Sequence, residues 1–182
     1  MTTGFDFPIG PQRIICMTEE TTEWLYLLGQ EHRIVGISGY TVRPARARQE
    51  KPRISAFTSA KIDKILALQP DCVLGFSDLQ ADIASTLIRQ GVQVTIFNQR
   101  SVAEILSMLY QVGAMVGQAQ QAMERIAAIQ AQMQAVALAA AALPRRPRVR
   151  ATVASMRRRN ASSKVKDSLM RSTFWSIASA LR

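Results

Sequence analysis

Short apolar runs alternate with amphipathic segments through the first hundred residues of the chain. The apolar runs span residues 13–17, 34–37, 72–76 and 92–97. The amphipathic segments span residues 18–28, 59–69 and 78–90, and each is followed by glycine or proline. Such runs are typical of parallel strands buried on both faces, and the segments between them have the period of helices. The alternation predicts a doubly wound parallel α/β sheet with right-handed crossovers.

One stretch between the second apolar run and the next amphipathic segment shows no period. Residues 38–58 contain four arginines and two prolines without a regular apolar period, which predicts a long loop instead of a helix or a strand. Because this loop leaves the carboxyl end of a predicted parallel strand, we expect it at the edge of the sheet where ligands bind in open α/β folds.

After Ser101 the apolar positions recur only at helical spacings. The pattern predicts one helix over residues 101–117 and a second over residues 118–143, the second filled mainly with alanine and glutamine. At 1.5 Å per residue the second helix would be roughly 39 Å long, which exceeds the width of the lobe before it. Pro144 and Pro147 end it. We expect a helix of this length to pack against something beyond that lobe.

The basic charge of the chain is concentrated at its carboxyl end. The 182 residues carry a net charge of +10. Residues 1–144 hold 12 basic and 12 acidic side chains, so the whole excess lies in the last 38 residues. A segment with the triple Arg157–Arg159 and the aromatic residues Phe174 and Trp175 would attract nucleic acid or an acidic membrane. Polyanion binding through this tail is therefore an alternative function, although we expect no specific nucleic-acid partner.

The composition and the motifs exclude several classes of catalytic site. His32 is the one histidine, and Cys16 and Cys72 are the only cysteines, too few for a clustered metal site or a disulfide framework. Both cysteines fall in apolar runs and are interpreted as small buried hydrophobic residues. No nucleotide-binding glycine loop, GxSxG or HExxH motif is present. We therefore predict neither an enzyme nor a resident metal.

Aromatic residues follow the carboxyl ends of the predicted strands. Tyr40 and Phe57 lie in the long loop, and Phe76 ends the third apolar run, followed by Ser77. Aromatic faces at one edge of a sheet suit a large, flat and partly apolar ligand. The alternative is that Phe57 and Phe76 fill the core of the lobe, and the spacing alone leaves both interpretations open.

The order of several motifs resembles a known family. The run Arg13-Ile14-Ile15-Cys16-Met17 comes first, a VGxSxY turn over residues 35–40 follows, and an ALxPD segment over residues 67–71 ends a predicted helix. In this order and spacing they resemble the cobalamin and ferric-siderophore substrate-binding proteins of ABC importers. The resemblance runs from about Arg13 to Val149.

This resemblance implies a binding function and a set of site residues. In the family two α/β lobes are joined by one long helix, and the ligand is held between the lobes. Tyr40, Phe57, Phe76 and the adjacent Ser77 correspond to the ligand-binding side of the cleft, and Asp63 stands where the family has a glutamate that docks onto the membrane permease. The resemblance implies a cobalamin or ferric-chelate ligand, no covalently bound cofactor, and an ABC importer permease as partner.

The predicted organisation has three parts. An amino-terminal ligand-binding lobe spans residues 1–117, a connector helix and its stop span residues 118–147, and a basic tail spans residues 148–182. A second lobe needs on the order of 100 residues, so the resemblance predicts a truncated and weakened binding protein. Its tail is expected to arise from a shifted reading frame or a damaged gene end. The connector is expected to expose part of its apolar stripe and to self-associate.

The cellular location has two opposing indications. Members of the family are exported, whereas the first residues contain the acidic Asp6 and no apolar core of a secretion signal. The resemblance implies a periplasmic protein, and the sequence as encoded implies a cytoplasmic one. A cytosolic corrinoid-handling protein is therefore a further alternative function.

Overall fold

The computed structural model describes residues 8–55 and 60–143 and contains a parallel sheet within them. Its strands are β1 (Ile14–Cys16), β2 (Ile34–Ser38), β3 (Arg53–Ser55), β4 (Cys72–Phe76) and β5 (Gln93–Phe97). They lie in the order β3-β2-β1-β4-β5, and every neighbouring pair is parallel. The prediction of a parallel α/β lobe is therefore confirmed. Phe57, Pro144, Pro147 and the basic tail 148–182 lie outside the described residues.

Helices follow the strands in the order expected for crossovers. They are α1 (Glu19–Leu27), α2 (Ala47–Glu50), α3 (Ile62–Ala67), α4 (Ala81–Arg89), α5 (Val102–Met115) and α6 (Ala119–Ala141). Short 3₁₀ turns occur at Glu31–Arg33 and Asp78–Gln80. No helix in the two described stretches is long and apolar enough to cross a membrane.

Helices cover both faces of the sheet. Successive side chains of the central strands point to opposite faces and pack against the helices on each side. On one face Ile15 and Val73 join a buried cluster with Ile65 of α3 and Leu87 of α4. On the other face lie α1 and α5, where the Trp24 indole N–H donates to the backbone carbonyl of Leu109 at 2.8 Å. This double cover explains why β1 and β4 consist of continuous apolar runs.

The prediction of an uninterrupted loop over residues 38–58 was wrong. The structure places α2 and β3 within it, and β3 pairs with β2 in the register Ile37 opposite Arg53. Since β3 is a three-residue edge strand, backbone hydrogen bonding holds it in place and only Ile54 is shown to be buried there. One buried residue leaves no alternation in the sequence, so the pattern could not reveal the strand.

The Pro-Asp end of the ALxPD segment has a structural role. The Asp71 carboxylate accepts the backbone N–H groups of Gln12 at 2.6 Å and Arg13 at 2.9 Å. In return, the Arg13 guanidinium donates to the backbone carbonyls of Leu68 and Gln69 at the end of α3. These contacts join the start of β1 to the start of β4, the two central strands of the sheet.

The turn between α5 and α6 depends on two glycines. A Cβ at Gly113 would lie 2.4 Å from the Ala122 Cβ, so the two helices approach each other at this point without a side chain between them. Gly117 turns the chain with a φ of 76°, in the left-handed region that glycine adopts readily. The predicted long helix is confirmed by α6. At its start Ala122 is buried against α5, whereas the neighbouring Met123 is exposed.

The chain forms two structural units, and the division between them falls after Ile126, within α6. In the second unit the apolar side chains of Val136, Leu138 and Leu143 are 68%, 61% and 49% exposed. Part of the predicted apolar stripe is therefore exposed. Self-association through it stays a prediction.

Both cysteines are fully buried in the central strands, as the apolar runs indicate. Burial raises the pKa of the Cys16 thiol to about 12, although hydroxyl groups of Thr21 and Thr22 oppose the rise. Burial, with a smaller contribution from the charge of Asp71, raises the pKa of the Cys72 thiol to about 11. Both thiols are therefore neutral in the folded protein at ordinary pH.

We expect neither thiol to react with a thiol reagent at pH 8 in the folded protein, because the thiolate is the reactive form. In denaturant both should react, and an absorbance assay that counts modified thiols measures the difference. Folding raises the pKa of both thiols, so their contribution to the free energy of unfolding is fully present below the thiol pKa in the unfolded chain, about 8.5. It is lost as the pH rises toward 11. Rapid modification of the folded chain would contradict this prediction.

Candidate functional site

The strand order identifies one edge of the sheet as the place for a ligand. From β1 the chain moves outward to β2 and β3, and it then returns to the other side of β1 to form β4 and β5. The connections thus reverse direction between β1 and β4. In open parallel sheets, ligands bind outside the carboxyl ends of the strands at such a reversal. The residues at this point are Thr18, after β1, and Ser77, after β4.

Ser77 has a strained backbone at this reversal. Its φ is 66° and its ψ is 168°, a combination that residues with a side chain rarely adopt. The Ser77 N–H donates to the carbonyl of Phe97 at 2.8 Å, and its hydroxyl accepts the N–H of Leu79 at 3.2 Å. These bonds hold the turn in place, and strain that is maintained in this way is typical of functional sites.

A buried glutamine supports the same turn from below. Gln80 is fully buried, and its Oε1 accepts the backbone N–H of Phe76 at 2.9 Å. A Cβ at Gly75 would lie 2.6 Å from that oxygen and 2.7 Å from the Ile96 Cδ1. The glycine in β4 therefore leaves the space through which the glutamine reaches the end of the strand.

Three buried threonines follow the end of β1. Thr18, Thr21 and Thr22 are all at most 1% exposed. The hydroxyls of Thr21 and Thr22 both donate to the carbonyl of Thr18 at 3.2 Å. Glu19 and Glu20 occupy the first turn of α1, where carboxylates interact favourably with the helix dipole.

The loop after β2 is anchored to α1 by polar contacts. The Tyr26 hydroxyl donates to the Glu50 carboxylate at 2.6 Å, and the Arg46 guanidinium lies 4.8 Å from the centre of the Tyr26 ring. Arg46 also pairs with Glu31 at 2.9 Å and with Glu50 at 3.5 Å. Burial, followed by the hydrogen bond to Glu50, raises the pKa of Tyr26 above its usual range. The network connects α2 to α1 and to the 3₁₀ turn at Glu31–Arg33.

The predicted site residues occupy different surroundings. Tyr40 is 47% exposed just beyond β2, where its N–H donates to the Ser38 hydroxyl at 3.2 Å. Phe76 is only 8% exposed at the end of β4, next to Ser77. Tyr40 follows β2 and Phe76 ends β4, and because β1 lies between them these two strands are about 10 Å apart. Asp63 is exposed on the first turn of α3, on a different element from either.

Three polar residues at this edge were not predicted from the sequence. Thr41 is fully buried and Gln99 is 6% exposed. Within the described part of the chain, the Thr41 Oγ1 and the Gln99 Oε1 have no hydrogen-bond partner. The third residue, Arg100, lies over the ring of Phe76 at 5.5 Å from its centre. The signal in the sequence was their position just after β2 and β5, which places them at the carboxyl edge of the sheet.

Charged residues at this edge are paired, and the described residues offer no metal site. Arg43 pairs with Glu23 at 3.2 Å, and Arg100 lies 3.8 Å from Asp78. Among residues 8–55 and 60–143, no group of three or more His, Cys, Asp or Glu side chains is placed to hold a metal ion. The edge therefore combines an exposed aromatic ring, buried hydroxyl and amide groups, and an arginine whose nearest carboxylate, that of Asp78, is itself largely exposed.

Comparison with known proteins gives both sequence and structural relatives. The vitamin B12-binding protein of Pectobacterium carotovorum is 26% identical over 68 residues, which are 37% of this chain and 24% of that protein. The periplasmic heme-binding protein RhuT of Roseiflexus sp. RS-1 superposes with a TM-score of 0.68 at 21% identity, covering 76% of this chain and 53% of that one. The periplasmic vitamin B12-binding protein of Vibrio cholerae gives 0.65 at 20% identity, covering 74% and 53%.

The chain thus matches about half the length of these solved structures, as a single lobe does, and about a quarter of the curated relative. The structural likeness confirms the fold, because identities near 20% establish no more than that. The family described as periplasmic binding protein matches residues 14–157, which is most of the chain. The match begins in β1 and continues past Val149, where the resemblance of the individual motifs stops. The chain therefore belongs to the periplasmic binding protein family.

Proposed function

We propose that the chain binds a corrinoid, heme or ferric-chelate ligand at the carboxyl edge of its sheet, for delivery to an ABC importer. Family membership supports binding and transport, and relatives named for vitamin B12 and heme support this range of ligands. The proposed function involves binding and release without covalent chemistry. We place it in the periplasm, where the named relatives act.

The observation that carries the proposal is the pair of buried polar atoms without partners. An unsatisfied buried hydrogen-bonding group costs about 1–3 kcal/mol. The Thr41 Oγ1 and the Gln99 Oε1 both follow the carboxyl ends of strands, on either side of the strained Ser77 turn. The protein itself covers both atoms, so a ligand recovers part of this cost only where the side chain rotates toward it, and such a rotation at the carboxyl edge favours binding there.

The proposal assigns a role to each part of the chain. Residues 1–117 form the ligand-binding lobe and residues 118–147 the connector, with residues 148–182 outside the binding function. Tyr40 supplies an exposed ring for the flat face of the ligand, and Phe76 and Ser77 complete the aromatic and polar edge. Phe57 is proposed as a further ligand-binding residue. Asp63 is exposed on α3 and is proposed to contact the permease. A lobe that contacts its ligand from one side binds more weakly than a closed cleft.

Substitution of Tyr40 tests the proposed function. We expect Tyr40→Ala to weaken binding of hemin or cyanocobalamin about tenfold, because stacking and apolar contact with the ring are lost. Tyr110→Ala is the matched control, since Tyr110 is similarly exposed at 41% but lies within α5. Titration calorimetry with the full chain measures both. Failure of the unaltered chain to bind hemin, cyanocobalamin or a ferric siderophore would refute the proposed function.

A further inference from the structure

Arg100 is an exposed cation placed at the boundary between apolar and polar parts of the candidate site. Its guanidinium carbon lies 5.5 Å from the centre of the Phe76 ring, a contact of the cation–π type. Phe76 ends β4, beside the strained Ser77 turn. A ligand lying against this edge would therefore meet the charge of Arg100 at its rim.

The side chain of Arg100 is oriented but not neutralised. Its Nη2 donates to the Asn98 Oδ1 at 2.6 Å and lies 3.8 Å from the Asp78 carboxylate. Asp78 has a side chain 85% exposed, and ion pairs in such solvated positions contribute little and exchange easily. The remaining N–H groups of the guanidinium have no partner among the described residues.

The backbone beneath Arg100 is held rigidly. The Glu104 carboxylate accepts the backbone N–H groups of both Arg100 and Ser101, and the Ser101 hydroxyl accepts the N–H of Glu104 at 3.2 Å. This capping box fixes the start of α5. Because the Glu104 carboxylate binds backbone groups, it is not the partner of the guanidinium. The backbone position of Arg100 is therefore fixed, and most N–H groups of its guanidinium are available to a ligand.

We propose that Arg100 binds an oxyanion on the ligand and so makes the site select anionic ligands over neutral ones. The inference rests on the proposed function and adds the chemical feature that the ligand must carry. A guanidinium binds a carboxylate or a phosphodiester through two parallel N–H donors. The exposed ion pair with Asp78 does not prevent this binding. The ligand is thus a large ring system with an acidic substituent at its edge. The substituent contacts Arg100, and the flat ring system faces the aromatic part of the site beside it.

A purely structural role for Arg100 makes a different prediction. If the side chain served only to cover Phe76, its replacement would change stability and would affect charged and neutral ligands alike. If it binds an oxyanion, replacement affects only the ligand that carries one. Pairs of ligands that differ in this group therefore separate the two roles.

The test compares hemin, which has two carboxylates, with its dimethyl ester, and cyanocobalamin, which has a phosphodiester, with dicyanocobinamide, which lacks it. Binding to the full chain is measured by absorbance titration for the unaltered protein, Arg100→Gln and Arg100→Lys. Arg89→Gln, an exposed arginine at the end of α4, is the matched control. Melting temperatures verify that every variant folds.

We expect Arg100→Gln to weaken binding of the acidic member of at least one pair about tenfold to a hundredfold, the range for a lost charged hydrogen bond. The neutral member should bind unchanged, Arg100→Lys should recover part of the affinity, and Arg89→Gln should have no effect. Dependence in the hemin pair identifies a carboxylate, and dependence in the corrinoid pair a phosphodiester. Equal effects on both members, or no effect in either pair, would overturn this inference alone. Absence of all binding to the unaltered chain would overturn the proposed function with it.

Discussion

Replacing Trp24 with alanine is expected to lower the free energy of unfolding by about 3–5 kcal/mol, the usual cost of removing a large buried aromatic side chain. Trp24 is 2% exposed between α1 and α5. Its ring fills the space between these helices, and its indole N–H donates to the carbonyl of Leu109 at 2.8 Å. The variant loses both the packing and the hydrogen bond, and α1 and α5 lose their main polar contact on this face of the sheet.

Trp24→Phe separates the two contributions. The phenyl ring keeps much of the apolar contact but cannot donate, so we expect a smaller loss of about 1–2 kcal/mol. Tyr110→Ala, which removes an exposed ring from the same α5, should cost less than about 1 kcal/mol. Urea denaturation followed by far-ultraviolet circular dichroism measures all three. A cost for Trp24→Ala no larger than that for Tyr110→Ala would show that this packing does not hold α1 to α5.

Introducing valine at Gly113 is expected to lower the free energy of unfolding by about 3 kcal/mol, at the upper end of the cost of overpacking. The Cβ alone would lie 2.4 Å from the Ala122 Cβ and 3.6 Å from the Leu28 Cδ1. Because α5 continues on both sides of this position, the clash can be relieved only by separating α5 from the start of α6.

A second substitution tests whether the close approach is the cause. Ala122→Gly removes the opposing methyl group, and alone it should cost about 1 kcal/mol through helix propensity. In the double variant we expect less destabilisation than the sum of the single changes, by about 1–2 kcal/mol. Ala114→Val places the same side chain on the exposed face of α5 and serves as the control. Additive costs in the double variant would show that the two residues do not interact.

The predicted strands are β1, β2 and β4, which are mainly buried, and β5, an edge strand whose Val94 and Ile96 still give an apolar alternation. β1 and β4 lie at the centre of the sheet, so nearly every position in them is apolar and the run is visible in the sequence. β3 lies at the edge, where pairing with β2 depends on backbone hydrogen bonds that any residue can make. A strand held by its backbone leaves almost no pattern, which is why residues 38–58 were predicted as a loop.

The site was predicted only in outline. The rule that ligands bind beyond the carboxyl ends of parallel strands predicts Tyr40, Phe76 and Ser77. Tyr40 and Ser77 do follow strands at that edge, and Phe76 is the last residue of β4. The strain at Ser77 and the unpartnered atoms of Thr41 and Gln99 were not predictable, because each depends on the conformation of a turn. Polar side chains in loops look alike in a sequence whether or not the fold buries them.

Gly113, in a helix, is a second feature whose role could not be predicted from the sequence. In the sequence, a glycine inside a helical pattern indicates only a weak point, because glycine lowers helix propensity. In the structure, Gly113 is where α5 and α6 approach within the space of a missing methyl group. The contact joins two residues on opposite sides of the turn, so the apolar pattern of either helix alone does not record it.

By itself the sequence determined the class of the fold, the order of its main strands and helices, and the family. These follow from apolar periodicity and motif order, which are local properties of the chain. Only the tertiary structure decided that β3 completes the sheet, that Phe76 lies under Arg100, and that Thr41 and Gln99 are buried without partners. Burial and hydrogen-bond satisfaction are relations between distant residues, so they come into existence only when the chain folds.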